Sequence, residues 1–421
     1  MSGSTDMSFS SAGVIVGFDL NGLGVARALA ERRVRCIGVA SPSWNPAWAT
    51  RSCRVIPCKE WSRGAVVEKL VEIGQRERRK PSLLITKEEA ARWISDSRKE
   101  LVDYYEINLP DKPIVDLLLN KADFDRLCVQ EGWPRPRTWR IESRVQLLSA
   151  LPELPFPCIL KPQVHSKSFG DRSPRKAFKL GDPDELLRTY EMAAQWTEKF
   201  ILQEWIHGGD DRIVFCLTYF DRRRESQAMF VGRKLRQWPP ECGNTALCEA
   251  APDSWREPIQ ALTERIWRRL RFSGLGSIEY KMLPDSGQPV IIEPTVGRTN
   301  YQNEIAVLNG MNIPLIAHCD LTGQSHPEPS VRVRPCKLVD GIREFRAARY
   351  YQRNGTLTYR RWWQERRGFC RHMTFRADDP GPFLESVKAS GRALAGAIVE
   401  RILGQTVKEK LKGALRSAKR A

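Results

Sequence analysis

Ser273-Gly-Leu-Gly-Ser-Ile-Glu-Tyr-Lys-Met-Leu-Pro-Asp-Ser-Gly-Gln-Pro-Val-Ile-Ile-Glu-Pro-Thr-Val-Gly-Arg-Thr-Asn300 is the stretch whose reading decides the fold. Ser277-Ile-Glu-Tyr-Lys-Met alternates apolar and polar residues, and Pro284-Asp-Ser-Gly is turn chemistry. Pro289-Val-Ile-Ile-Glu is apolar and β-branched, so the stretch reads as two strands around a hairpin turn. Glu279 lies on the first strand and Glu293 ends the second, and pairing across the turn brings the carboxylates together on one face. Two converging acids followed by Arg298 have the chemistry of oxygen ligands for Mg²⁺ beside a phosphate-binding cation. An edge hairpin with solvated acids is the plain alternative.

Working outward, the composition bounds the class. The chain has 421 residues, 41% hydrophobic and 28% charged, which suits two or three globular domains. No stretch approaches the ~20 apolar residues that cross a bilayer. Met1-Ser-Gly-Ser-Thr-Asp-Met lacks the basic-then-apolar layout of a signal peptide, so a cytoplasmic location is expected. Eleven cysteines include no CxxC pair and stand mostly in apolar runs, as small core hydrophobes in a reducing compartment would. Five histidines at unrelated spacings give no support to a histidine-based mechanism. Of the net charge of +18, residues 331–421 carry +14, with 22 Lys/Arg against 8 Asp/Glu. The basicity therefore belongs to a C-terminal segment that suits weak contact with an anionic polymer or membrane, or simply a solvated frayed end.

Upstream of the hairpin, residues 12–40 read as a βαβ unit. Gly17, Gly22 and Gly24 miss the dinucleotide spacing, and Ala40-Ser-Pro stands where an acid should end the second strand, so a structural turn is expected there. Further α/β material runs to Asp111–Val115, where this first domain is expected to end, near residue 115. A helix that ends at Gly132 follows, then a Pro-x-Pro turn into a strand, and then the apolar strand Phe156-Pro-Cys-Ile-Leu-Lys-Pro. The lysine closing that strand, Lys161, must find an anion or solvent, because burial without a partner is costly. The polar loop 163–175 behind it has the composition of a flap over a polyanion, or of an exposed hairpin. Then come Phe200-Ile-Leu-Gln-Glu-Trp-Ile, the turn His207-Gly-Gly-Asp-Asp, an antiparallel run of strands and a helix over Pro258–Leu270.

This ordered set resembles the ATP-grasp superfamily of carboxylate–amine and carboxylate–thiol ligases over residues 12–325. The implied fold is α/β and α+β. A βαβ domain (1–115) precedes a two-subdomain ATP-grasp fold (116–325, small part about 116–202, large part about 203–325), with a basic helical C-terminal extension over 326–421. The resemblance implies ATP and Mg²⁺, with Mn²⁺ as an alternative ion. It implies a small-molecule or glycan-linked carboxylate and an amine as substrates, joined through an acyl phosphate. Lys121 and Lys161 match the nucleotide lysines, and Ser166 falls in the phosphate-covering loop, with Lys176 either a third cation or a solvated lysine. Glu204 and Ile206 fall at the adenine linker, and Asp211 or its neighbour Asp210 matches the ribose acid. Glu279 and Glu293 match the metal ligands, and Arg298 matches the arginine facing transferred phosphate.

One departure stands out. The family pattern Glu-x-Asn-x-Arg is here Glu293-Pro-Thr-Val-Gly-Arg298, with Thr295 in place of asparagine and one extra residue. The Thr295 hydroxyl is a candidate ligand, and Asn300 is close enough in sequence to substitute. The departure keeps a catalytically inactive ATP-binding regulator as an alternative to the ligase, and the basic tail keeps a nucleic-acid or anionic-surface binder as another.

Overall fold

The computed structural model describes residues 11–164, 173, 177–326, 328 and 336–391. The βαβ opening forms as its pattern dictates. It contains β1 (Gly13–Val16), α1 (Leu20–Ala30), β2 (Cys36–Ala40), β3 (Arg54–Pro57), α2 (Arg63–Arg76) and β4 (Ser82–Ile85), followed by α3 (Glu88–Asp96) and α4 (Arg98–Leu101). The four strands lie in the order β3-β2-β1-β4, all parallel. Asp19 caps α1 by accepting the Asn21 N–H at 2.8 Å, a side-chain acceptor for a helix donor without an intrahelical partner. Gly17 has φ +92°, and a Cβ there would lie 2.2 Å from Cγ of Lys87. Only glycine lets that lysine cross the end of β1.

The next elements are α5 (Lys112–Leu119), α6 (Lys121–Gln130), β5 (Thr138–Ile141), α7 (Arg144–Ala150), β6 (Cys158–Pro162), β7 (Phe178–Leu180), α8 (Pro183–Ala193) and β8 (Phe200–Glu204). Their strands form a small antiparallel sheet in the order β5-β8-β6-β7. Where Asp111–Val115 suggests a break, a helix begins. Pro113 sits in the first turn of α5, where a missing N–H costs nothing.

The large sheet is built from β9 (Ile213–Phe220), β10 (Ser226–Trp238), β11 (Asn244–Ala250), β12 (Gly274–Met282) and β13 (Pro289–Val296), with α9 (Asp253–Arg269) between β11 and β12. α9 starts a turn earlier than Pro258 suggests, since only one turn precedes the proline and little of the hydrogen-bond ladder is lost. After β13 come α10 (Asn303–Leu308), α11 (Ile313–Leu321), β14 (Cys336–Val339), α12 (Gly341–Arg353), α13 (Tyr359–Arg366) and β15 (Phe369–His372). The sheet order is β13-β12-β9-β10-β11-β14-β15. The C-terminal segment expected to be helical therefore also adds two strands, β14 antiparallel to β11 and β15 parallel to β14. Cys336-Lys-Leu-Val is too short to announce itself, and only the free edge of β11 gives it a partner.

β9 is buried along its whole length because both faces are covered. Val214, Cys216 and Phe220 pack with Trp267 of α9 and with Val115 and Phe124 of α5 and α6. Phe215, Leu217 and Tyr219 pack on the other side with Leu315 and Ile316 of α11 and with Leu23 and Val25 of α1. That second cluster joins the N-terminal domain to the large sheet through one continuous core. Each fully buried Leu or Phe in it contributes roughly 1.5–3 kcal/mol.

Candidate active site

Alternation along β12 decides what faces outward. Ile278, Tyr280 and Met282 point into the core under α9, so Ser277, Glu279 and Lys281 occupy the opposite face. Glu279 pairs with Glu293 across the hairpin and Ser277 with Thr295, and a bulge follows the Glu279 rung. The two carboxylates thus share one rung, as the turn predicts. Lys234 of β10 reaches across the intervening β9 to Glu279, Nζ to Oε2 at 2.9 Å, with its side chain 5% exposed.

The small sheet presents Lys161 to the same space. Lys161 is buried, and among the described residues no carboxylate lies within ion-pairing distance of it. Burial pushes its ammonium down to about 8, while the charges of Glu293 and Glu279 hold it up and Lys121 pushes it further down. Lys161, Lys121, Glu279 and Glu293 therefore act on one another across a cleft between the two sheets. Lys121 opens α6, where Asn120 caps the helix and the Lys121 N–H donates to the Gln163 carbonyl at 3.1 Å. This bond fastens the helix start to the chain just beyond Lys161.

The linker from β8 to β9 forms one end of the cleft. Lys179 and Lys281 lie over the Trp205 ring at 4.5 and 4.9 Å, cation–π contacts that hold the linker from both sheets. Lys281 also donates to the Gly208 carbonyl at 2.7 Å, and Lys179 pairs with Glu241 in the β10–β11 turn. The Glu204 carboxylate accepts from the Arg137 backbone N–H and Nε, both at 2.9 Å. Ile206 is half-buried, and its backbone N–H and carbonyl make no hydrogen bond among the described residues.

Asp210 is buried with both oxygens engaged. It accepts from the Gln237 N–H at 3.0 Å, from Gln237 Nε2 at 2.9 Å and from the Tyr351 hydroxyl at 2.6 Å. Burial raises its pKa, and the bonds from Tyr351 and Gln237 pull it back down. Asp211 pairs with Arg361 of α13 at 3.1 Å. Ser166 and Lys176 lie outside the described residues.

Beyond the paired acids, Arg298 sits 3.5 Å from Glu88 of α3 and donates to the Thr299 carbonyl at 3.3 Å. Asn300 donates through Nδ2 to the Ser277 hydroxyl at 2.8 Å, which leaves its Oδ1 buried and without a hydrogen-bond partner. An orphaned carbonyl oxygen beside the Ser277–Thr295 rung is a ready ligand for a hard cation. Two carboxylates and an amide oxygen suit Mg²⁺, which takes few protein ligands and keeps waters and phosphate oxygens. Among the described residues no cluster of three His, Cys, Asp or Glu offers an alternative metal site.

No family model matches the chain. Over 317 residues it is 25% identical to D-aspartate ligase of Enterococcus faecium, covering 71% of this chain and 74% of that enzyme. A shorter match, 28% over 97 residues, is to D-alanine–D-alanine ligase of Pseudomonas fluorescens, and it spans 28% of that enzyme. Among solved structures, N5-carboxyaminoimidazole synthetase from Staphylococcus aureus complexed with ADP superposes with TM-score 0.60, covering 78% of this chain and 82% of that one at 14% identity. The biotin carboxylase domain of the Hydrogenobacter thermophilus 2-oxoglutarate carboxylase, in complex with MgADP and bicarbonate, gives 0.59 over 77% and 73% at 14% identity.

The chain has the ATP-grasp fold. Within the ATP-grasp fold, sequence reasoning missed Lys234 and Lys281. Lys234 stands among arginines on a mixed strand and Lys281 on an alternating one, so neither carries the signal that singled out Lys161. Their partners, Glu279 on β12 for Lys234 and Trp205 in the β8–β9 linker for Lys281, come from distant parts of the chain, so no local pattern names them.

Proposed function

We propose that this protein is an ADP-forming ligase that joins a carboxylate to an amine, with ATP and Mg²⁺ held between the two sheets. The observation that carries this reading is buried Lys161 facing the Glu279–Glu293 rung across the cleft. Lys121 and Lys161 would neutralise phosphate oxygens, and the open backbone groups of Ile206 would hold adenine at the linker. Glu279, Glu293 and Asn300 would hold Mg²⁺, with Thr295 on the adjoining rung and Ser166 and Lys176 covering the phosphates. The ion, when bound, would neutralise phosphate charge. Lys234, beside Glu279, would supply a further cation for the transferring phosphoryl group, and Arg298 would face that group from the end of β13.

The chemistry needs no protein nucleophile. A substrate carboxylate oxygen attacks the terminal phosphorus, and the bond to ADP breaks. The amine then attacks the acyl carbon, phosphate leaves, and the nitrogen gives up a proton. The likeness to D-aspartate ligase makes amino acids, D-aspartate first, the substrates to try. No helix among the described residues is long and apolar enough to cross a membrane, which accords with work in the cytoplasm, where ATP is abundant.

Calorimetric titration of ATP tests the reading. Lys161→Ala should weaken Mg·ATP binding at least tenfold, and Glu293→Ala should make the remaining affinity insensitive to Mg²⁺. Wild-type protein that does not bind ATP, or that binds equally well as Lys161→Ala, would remove the proposal.

A further inference from the structure

The segment beyond residue 340 turns charge of one sign outward. Between Gly341 and Ala377 stand ten arginines, no lysine and two acids, Glu344 and Glu365. Both acids face inward to Arg236 of β10. The helical period then sets what faces out. On α12, Glu344, Ala347 and Ala348 are buried and Tyr351 bonds Asp210, so Ile342, Phe345, Arg346, Arg349 and Arg353 share the opposite, exposed face. On α13, Trp362 and Glu365 reach Glu344 and Arg236, which leaves Tyr359, Arg360 and Trp363 exposed on the far side. Arg367, just past the end of α13, is exposed as well.

Three of the ten arginines meet carboxylates: Arg343 pairs with Asp340, Arg361 with Asp211 and Glu365, and Arg376 with Glu31. Arg346, Arg349, Arg353, Arg360 and Arg367 form no ion pair among the described residues. Five like charges with no acid between them repel one another, and a polyanionic surface relieves that cost. All five are guanidinium groups, which grip phosphate oxygens in pairs of parallel hydrogen bonds. Large apolar side chains are set among them, Phe345 at 59% exposed, Tyr359 at 71% and Trp363 at 67%. Tryptophan and tyrosine settle at the headgroup level of a bilayer, with the ring toward the acyl chains. Nucleic acid would satisfy the same arginines, but Ile342, 49% exposed, has no flat face to stack on a base, whereas the acyl boundary accepts it.

We propose that the outer faces of α12 and α13 dock the protein on an anionic lipid bilayer, with the arginines on lipid phosphates and Ile342, Phe345, Tyr359 and Trp363 in the interfacial layer. The inference goes beyond the ligase reading and does not depend on it. Arg236 fixes both helices to the large sheet through Glu344 and Glu365, so the surface is held by the fold. The Tyr351 hydroxyl of α12 bonds Asp210 at 2.6 Å, beside the β8–β9 linker that ends the cleft. A protein docked by this surface therefore carries its cleft close to the bilayer.

Co-sedimentation of the full chain with lipid vesicles tests this. Vesicles of equal parts phosphatidylcholine and phosphatidylglycerol should bind it at least tenfold more tightly than phosphatidylcholine alone, and added salt should weaken the binding. Each arginine near an anionic surface is worth roughly fivefold in affinity, so Arg346→Gln/Arg349→Gln/Arg353→Gln should lose about a hundredfold. The charge-conserving Arg346→Lys/Arg349→Lys/Arg353→Lys should stay within tenfold of wild type. Phe345→Ser/Trp363→Ser, which leaves the charge intact, should also weaken vesicle binding at least tenfold. The proposal is overturned if the wild type does not bind the anionic vesicles, or if single-stranded RNA at equal phosphate concentration strips it from them. It is equally overturned if the glutamine variant binds within twofold of wild type. That result would move the contact to the basic stretch Lys408–Arg420, which lies outside the described residues.

Discussion

Replacing Glu344 by alanine should destabilise the whole protein. Glu344 is fully buried on α12 and accepts three bonds from Arg236 of β10, whose Nε donates to both oxygens at 2.9 Å and whose Nη2 donates to Oε1 at 2.6 Å. Trp362 Nε1 donates to the same oxygen at 3.0 Å, and Glu365 engages the remaining face of the guanidinium. Removing one partner of a buried ion pair costs about 3–5 kcal/mol, because the other charge stays behind. Glu365 still compensates Arg236, so the low end, about 3 kcal/mol, applies to the charge, and the stranded indole N–H adds about 1 kcal/mol. At roughly 2 °C per kcal/mol, the melting temperature should fall by about 8 °C. Urea unfolding followed by tryptophan fluorescence and circular dichroism would measure this. The double variant Arg236→Met/Glu344→Leu should return to within about 1 kcal/mol of wild type, since a well-packed apolar pair replaces the buried ions. A single variant within 1 kcal/mol of wild type would refute the reasoning. It would mean that α12 is not docked on β10 through this pair, and the placement of Tyr351 on Asp210 and the outward face of α12 would fall with it.

Two further outcomes follow from buried charge. Lys161 has its folded pKa pushed down to about 8 by burial, below the ordinary lysine value, so between pH 8 and 10.5 the unfolded chain holds more protons and stability rises with pH. Lys161→Met should be more stable than wild type at pH 7 and should lose that pH dependence, a thermal-melt comparison in which equal slopes would count against the placement. Asp379 accepts from Arg27 Nε at 2.9 Å, the Thr50 hydroxyl at 2.6 Å and the Arg51 N–H at 2.9 Å, tying the C-terminal segment to α1. Burial raises its pKa, but these bonds outweigh burial and leave it lowered, so its stabilisation is present above the ordinary carboxyl pKa and lost as pH falls through the folded value. Asp379→Asn should cost about 3 kcal/mol at pH 7, with the gap to wild type closing below pH ~4 in denaturant titrations.

Asp379 and Glu344 also show where sequence reading stops. Each is one acid in a basic segment, and the arginine it meets, Arg27 or Arg236, lies more than a hundred residues away. Nothing local marks either pair. The same holds for Asp211, which sequence order sets beside Asp210 but whose side chain turns to Arg361. By contrast, the helix expected to end at Gly132 forms as α6, with the Asn120 side chain accepting from the Ala122 and Asp123 N–H groups at its start.

By itself, the sequence determined the elements whose causes are local. The two-residue period of Ser277–Met282 sends Glu279 to the face away from Ile278 and Tyr280, and the Pro-Asp-Ser-Gly turn sets the register that pairs it with Glu293. An apolar strand ending in lysine marks Lys161 as a cation that must meet an anion. Only the tertiary structure decided that Lys161 comes under the influence of Glu293 and Glu279 without pairing to either, and that β14 and β15 would extend the sheet. It alone set Lys234 across β9 from Glu279 and turned Glu344 and Glu365 inward to Arg236, away from the outer arginines of α12 and α13. The physical reason is that periodicity and turn chemistry act over a few residues, whereas strand order and the neutralisation of buried charge are fixed only when distant segments share one core.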